Sequence, residues 1–407
     1  MGVRVSLYPV EKELEDNWYN NPKRAGQVVD TFNQLIMHGD IPHNMGATGL
    51  VTNAYLHTGD DRYKNWVLRY VEGWLERMHK NNGIMPDNIG PTGKIGEHRD
   101  GQWWGGWYGW NCYKGNNIGL TSMTIGAQCA QLLTGDDQYL DVIRSQMKLM
   151  FEHSKTRDDG QLVFSWRYGP EGWFDYKRMP IKWLPPLYHA SLSDGDRQMM
   201  EQVRDGDVED DWGSVSPTSA KGGGDSGYFQ YHNGQFAEWP EKLMEFELES
   251  AEEALERVKA ESRTPEQMIA DNSGIPNPVK TESLTEMMQG APGTVYNGGL
   301  LRATVRYHDA KAGRPGLPPD VSALVDKLGP GTVGFQLVNL NRGEERRVIV
   351  QAGAFGEHRF TSATVGGSTT ALDSKYFEIA LPAGSSIAVE CGLNRFANQP
   401  SYEMPVM

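Results

Sequence analysis

The chain has 407 residues, with 39 Lys+Arg against 53 Asp+Glu, a net charge of −14 and three cysteines. This length buries a core without disulfide or metal staples, and the acidic balance argues against nucleic acid as the main partner. Cys112, Cys129 and Cys391 show neither a disulfide framework nor zinc-ligand spacing. No motif supports a metal, and no cofactor is expected.

In chain order, Met1-Gly2-Val3-Arg4-Val5-Ser6 lacks the apolar core of a signal peptide, and no stretch is long and apolar enough for a membrane span. The expectation is a cytoplasmic chain, or a periplasmic or secreted one if a targeting segment has been removed. An internal repeat follows: Thr58-Gly59-Asp60-Asp61-Arg62-Tyr63 returns 76 residues later as Thr134-Gly135-Asp136-Asp137-Gln138-Tyr139. Each copy predicts a corner between two helices. Leu56 and Leu132 close the incoming helix, Gly59 and Gly135 supply a left-handed stop, and Asp60 and Asp136 cap the outgoing helix. The outgoing helices share an apolar phase, with Tyr63, Trp66, Val67, Tyr70, Val71, Trp74, Leu75 and Met78 in one. The other carries Tyr139, Val142, Ile143, Met147, Met150 and Phe151. They end in the turns Asn82-Gly83 and Asp159-Gly160.

Residues 240–262 read as a further helix, with Met244, Leu248, Ala251, Leu255 and Val258 on one side and glutamates elsewhere. Residues 264–288 read as polar helical pieces interrupted at Gly274-Ile275-Pro276-Asn277-Pro278, and Val295 to Tyr307 as a short helix. Composition shifts at Gly313-Arg314-Pro315-Gly316-Leu317-Pro318-Pro319. Alternation at Val333, Phe335 and Leu337, a turn at Asn341-Arg342-Gly343, and runs at 346–350, 376–380 and 386–390 then predict antiparallel strands. The organisation expected is a helical-hairpin domain over 1–312 and a β domain over 313–407.

The paired corners, Leu56–Tyr63 with Asn82-Gly83 and Leu132–Tyr139 with Asp159-Gly160, resemble the six-hairpin (α/α) barrel glycosidases and related polysaccharide lyases. The likeness covers about residues 26–160, and a C-terminal β-sandwich of the kind several such families carry extends it. It implies a mainly α fold, an (α/α) toroid of helical hairpins followed by a sandwich-like antiparallel domain. It also implies activity on an oligosaccharide or polysaccharide. At 76 residues per hairpin, residues 1–307 hold about four hairpins rather than six, so either later hairpins are shorter, the toroid is incomplete, or the chain is a fragment.

Chemistry concentrates between the repeats. Met85-Pro86-Asp87-Asn88 leads to Gly96-Glu97-His98-Arg99-Asp100-Gly101-Gln102, then to Trp103, Trp104, Trp107, Tyr108, Trp110 and Asn111 among glycines. Four of the twelve tryptophans fall within 103–110, and flat aromatic faces beside polar groups suit a sugar cleft. Glycoside hydrolysis needs two carboxyl groups, here Asp87 with Glu97, Asp100 or Asp175. Elimination from a uronate needs a Tyr or His base and a group that neutralises the sugar carboxylate. His98, Arg99, Tyr108 and Asn111 supply these, as do His43 and Asn44. Further wall residues are Tyr231 and His232, and Arg178 beside Asp175 suits an acidic sugar.

Gly222-Gly223-Gly224-Asp225-Ser226-Gly227 fits a dinucleotide fingerprint only in letters, because it follows no strand, and Asp205–Asp211 lacks the calcium-loop register. The tetrapeptide Gly-Glu-His-Arg at 96–99 recurs at 356–359, which shows how readily a short match arises. The reading favoured is a glycoside hydrolase cleaving by paired carboxylates in a Trp-lined cleft, with a uronate lyase second and, from another class, a non-catalytic repeat protein binding glycans or another protein. A homo-oligomer is left open.

Overall fold

The computed structural model describes residues 18–33, 39–106, 108–111, 117–179, 183–210, 212–215, 225–279, 281–291 and 298–405. It divides into two compact units. The first is Met1–Asp210 with Asn297–Leu300 and Gln399–Glu403, and the second is Asp211–Tyr296 with Leu301–Asn398 and Met404–Met407. The boundary drawn from composition at 312/313 falls inside the second unit.

In the first unit α1 (Pro22–Phe32) precedes α2 (Ala47–Thr58), α3 (Asp61–Lys80), α4 (Asn117–Thr134) and α5 (Asp141–Glu152). Both corners form through the same set of bonds. Gly59 and Gly135 adopt φ of +65° and +75°. Their N–H groups reach Tyr55 O at 2.8 Å and Gln131 O at 2.7 Å. Thr58 and Thr134 each accept from the following aspartate N–H, at 3.2 and 3.1 Å. Asp60 and Asp136 cap the next segment, each accepting at 2.9 Å from Arg62 N or Gln138 N. The outgoing segments then differ: α3 runs straight on, while the second copy makes a 3-10 turn, Asp137–Leu140, before α5.

Helix α4 is buried around its circumference, all but one residue from Gly119 to Leu133 being buried, the polar Ser122, Thr124, Gln128 and Gln131 included. It is therefore the central helix, in contact with α2, α3 and α5. Helix α3 buries Val67, Val71, Trp74 and Met78, the stripe its periodicity marks, and leaves Trp66 44% exposed.

The expected toroid is not what forms. After α5 the chain enters an antiparallel sheet, β1 (Lys155–Thr156), β2 (Leu162–Gly169) and β3 (Gly172–Lys177), in place of a third long hairpin. The residues Leu162-Val163-Phe164-Ser165-Trp166-Arg167-Tyr168 are β-branched or aromatic enough to make a strand whose middle is buried. A further helical pair follows in this unit, α6 (Leu184–Ser191) packed on α7 (Asp194–Asp205). The described residues hold eleven α-helices and three antiparallel sheets, a mixed fold.

The second unit contains α8 (Asp225–His232), α9 (Trp239–Ala260), α10 (Pro265–Ala270) and α11 (Glu282–Gln289). Nine strands follow: β4 (Val305–Asp309), β5 (Arg314–Pro315), β6 (Val321–Gly329), β7 (Thr332–Asn339), β8 (Arg346–Ala352), β9 (Arg359–Val365), β10 (Ser368–Ser374), β11 (Tyr376–Leu381) and β12 (Ser386–Asn394). They pair in the orders β10-β9-β12-β7-β6 and β11-β8-β4-β5. The register sets Phe335 opposite Val389 and Leu337 opposite Ile387. One buried cluster draws on both sheets, with Val305, Tyr307, Phe335, Val350, Phe360 and Cys391. The helix expected over Val295–Tyr307 is corrected at its end, where Val305 and Tyr307 alternate into the core from β4. Residues 292–297 lie outside the described residues.

Helix α9 forms where its periodicity places it, but its packed face is Trp239, Leu243, Glu247 and Ala254. Leu248 and Leu255, on the row expected to be buried, are 62% and 44% exposed.

Candidate functional site

The segment from Ile84 to Asn111 folds around one carboxylate. Asp87 is fully buried. Its Oδ2 accepts from Gly105 N at 2.9 Å and Trp110 N at 2.8 Å, and its Oδ1 from Gly106 N at 2.7 Å and Asn88 Nδ2 at 3.3 Å. Backbone approaches this closely only because Gly106 and Gly109 lack a Cβ. A Cβ at Gly106 would lie 1.9 Å from Asp87 O, and one at Gly109 would lie 2.1 Å from Asp87 Oδ2. Burial drives the Asp87 carboxyl pKa upward, against the pull of the three backbone N–H donors and the Arg99 charge. All four partners are donors, so both oxygens act as acceptors. Asp87 is thereby the clasp of the tryptophan-rich loop, with no exposed surface and both oxygens already bonded, an arrangement that weighs against the expected role of catalytic acid.

The same loop is tied to β2. Tyr168 N donates to Trp110 O at 2.9 Å, Asn111 Nδ2 to Tyr168 O at 3.0 Å, and Arg167 to Asn111 O at 2.7 Å. Trp110, 1% exposed, anchors the loop through Nε1 to Met85 O at 2.8 Å, and Trp104 is also buried. Half-buried rings make a continuous file. Trp103 lies 4.7 Å from Tyr168, Tyr168 4.9 Å from Trp173, and Trp173 4.8 Å from His153, stacked at 25°. Trp107 lies outside the described residues.

Tyr108 and His43 are brought together from opposite ends of this region. Their rings meet edge to face at 5.2 Å, and His43 Nδ1 shares a 3.0 Å hydrogen bond with the buried Ser122 Oγ on α4. His43 sits on a 3-10 turn, Pro42–Gly46, started by a proline. Tyr108 is held at φ +52°. A non-glycine residue in the left-handed region costs about 1–3 kcal/mol, a strain that gathers at functional positions.

Most of the other expected residues have structural partners. Asn44 donates to Asp40 at 2.7 Å. Glu97 accepts from Thr92 N at 3.0 Å, which holds its carboxyl below the usual range and braces a turn. Arg99 is buried, with Nη1 3.4 Å from Trp104 O. His98 and Asp100 are exposed. Asp175 pairs with Lys177 at 2.8 Å, and Arg178 pairs with both Asp207 and Asp210 at 2.7 Å, so its charge is already compensated. Tyr231 and His232 belong to the second unit, where their rings lie 5.1 Å apart and burial pushes His232 down to about 3. Sequence reasoning missed Tyr168, His153 and Ser122. The alternation of Trp166 and Tyr168 was the available signal for the strand that carries the first.

In the second unit a cleft of about 690 Å³ is lined by Asp309, Lys311, Pro318, Arg346, Arg347 and Glu378 among others. Its arginines are paired with Asp320 and Glu344 and with Glu345 and Glu378. Among the described residues no group of three His, Cys, Asp or Glu could hold a metal ion, and no helix is long and apolar enough to cross a membrane.

No curated protein matches the chain. A family model described as a domain of unknown function (DUF8034) matches residues 5–169 and 158–285, which include the clasped loop, the aromatic file and the His43–Tyr108 pair. The chain belongs to the DUF8034 family.

Proposed function

We propose that the first unit binds a carbohydrate along the file Trp103–Tyr168–Trp173–His153 and that its chemistry is β-elimination from a uronate at Tyr108 and His43. The observation that carries this reading is the His43–Tyr108 contact, with the tyrosine kept in a strained backbone by the loop that bears Trp103. Half-buried indole and phenol rings offer faces for sugar C–H groups. Tyr108 Oη, reacting as the phenolate, takes the proton alpha to the sugar carboxylate. The electron pair forms the new C=C bond, the glycosidic C–O bond at the β carbon breaks, and Tyr108 passes the same proton to the leaving oxygen, which returns it to the phenolate. His43, oriented by Ser122, faces the carboxylate charge that builds up. Hydrolysis by paired carboxylates is the weaker reading, because Asp87 is committed to the loop.

The test is incubation with neutral and uronate oligosaccharides, reading new reducing ends and the ultraviolet absorbance of an unsaturated product. Elimination predicts both signals, on uronates alone, and their loss in Tyr108→Phe with folding retained. New reducing ends without absorbance contradict it in favour of hydrolysis. The absence of both contradicts the enzymatic reading.

A further inference from the structure

Helix α9 carries three faces of different chemistry. Trp239, Leu243, Glu247 and Ala254 pack into the second unit. About 100° around the helix lies another apolar row, Met244, Leu248, Ala251, Leu255 and Val258. Leu248 is 62% and Leu255 44% exposed, and the other three are half-buried. About another 100° on stand Glu245, Glu249, Glu252 and Glu256, all exposed. The apolar row is spaced four, three, four and three residues apart, which is the a/d seam of a coiled coil, with Glu245 and Glu252 at the flanking e positions that select a partner.

We propose that this seam docks an amphipathic helix of a partner protein whose flank carries lysines or arginines against the glutamate ridge. Charge complementarity chooses this occupant. A second copy of the chain would set one glutamate ridge against another. The one lysine among the e positions, Lys259, already pairs with Glu256 at 2.7 Å. An anionic lipid surface would meet the same repulsion. The inference rests on the second unit alone and does not depend on the chemistry proposed for the first.

The probes are two synthetic peptides of about three heptads with Leu at a and d, one with Lys and one with Glu at e and g. They are titrated against the full chain by calorimetry at two salt concentrations. The Lys peptide is expected to bind about tenfold or more tighter than the Glu peptide, and less tightly as salt rises. The exposed pair Leu248→Ser/Leu255→Ser is expected to weaken binding of the Lys peptide by about tenfold or more without moving the melting temperature. Equal affinity for the two peptides, binding of neither, or binding indifferent to the serine pair would overturn the proposal. So would a melting temperature lowered by the serine pair, which assigns the leucines to the fold. A dimer in sedimentation that the serine pair dissolves gives the seam to a second copy.

Discussion

Replacing Asp87 by Asn tests whether this carboxylate is a clasp. The substitution keeps the shape and turns one acceptor oxygen into a donor. Turned one way, the amide NH2 confronts Gly105 N and Trp110 N, now 2.9 and 2.8 Å from the carboxylate. Turned the other way, it confronts Gly106 N at 2.7 Å and the Asn88 amide. Either orientation breaks two buried hydrogen bonds to the Asp87 carboxyl, each worth about 1.5 kcal/mol. The expected cost is about 3 kcal/mol, which for a unit of some 200 residues lowers Tm by about 6–12 °C. Ten of the twelve tryptophans lie in the first unit, so thermal unfolding followed by tryptophan fluorescence reads that unit. Amide exchange at Gly105, Gly106 and Trp110 should accelerate in step. A variant with unchanged Tm and unchanged protection at those three amides would refute the clasp.

The remaining predictions address other parts of the account. Gly109→Ala puts a Cβ 2.1 Å from Asp87 Oδ2 and should destabilise the first unit by about 1–3 kcal/mol, read by the same unfolding assay. Asp60→Ala and Asp136→Ala remove equivalent caps and should each cost about 1 kcal/mol, so a silent Asp136→Ala would break the equivalence of the corners. His232 is held neutral by burial, with its pKa pushed down to about 3, whereas an unfolded histidine protonates near about 6.5. The unfolded chain thus binds the extra proton between these values. Its contribution is complete above about 6.5 and lost as pH falls toward about 3, by up to about 1.4 kcal/mol per unit. Denaturant titration of the second unit across that window should show a shallower slope in His232→Phe, and an identical slope would remove His232 as the cause. Phe335→Ala, emptying a position 1% exposed at the centre of the sheet core, should cost about 3–5 kcal/mol by the same titration.

The corners were legible because everything that makes them lies within a few residues. A threonine, a left-handed glycine and a capping aspartate bond to their own neighbours, whatever packs outside. Strands β7, β8, β11 and β12 were legible from their apolar runs and alternation. The α9 face was misread because periodicity favours the most apolar row, whereas tertiary contact selects the row with Trp239 and Leu243 and carries Glu247 in with it. The run of helical pairs expected for a toroid is interrupted where Leu162–Tyr168 forms a strand of an antiparallel sheet. Asp87 reads in the sequence as a candidate catalytic carboxylate, whereas its partners are backbone N–H groups 18 to 23 residues away, and no side-chain type announces them. The glycines around it read equally as an open loop or as crowding, and Gly106 and Gly109 prove to be crowded against Asp87. His43, Tyr108 and Ser122 are far apart in sequence and meet only through the packing of α4, so their contact carried no local signature.

The most direct test of the proposed function is a crystal structure of the Tyr108→Phe chain soaked with a uronate oligosaccharide. The account predicts sugar rings lying on Trp103 and Trp173, with the carbon alpha to a uronate carboxylate next to residue 108 and the carboxylate toward His43. Sugar bound elsewhere, or ring faces of Trp103 and Trp173 sealed against solvent in the crystal, would contradict it.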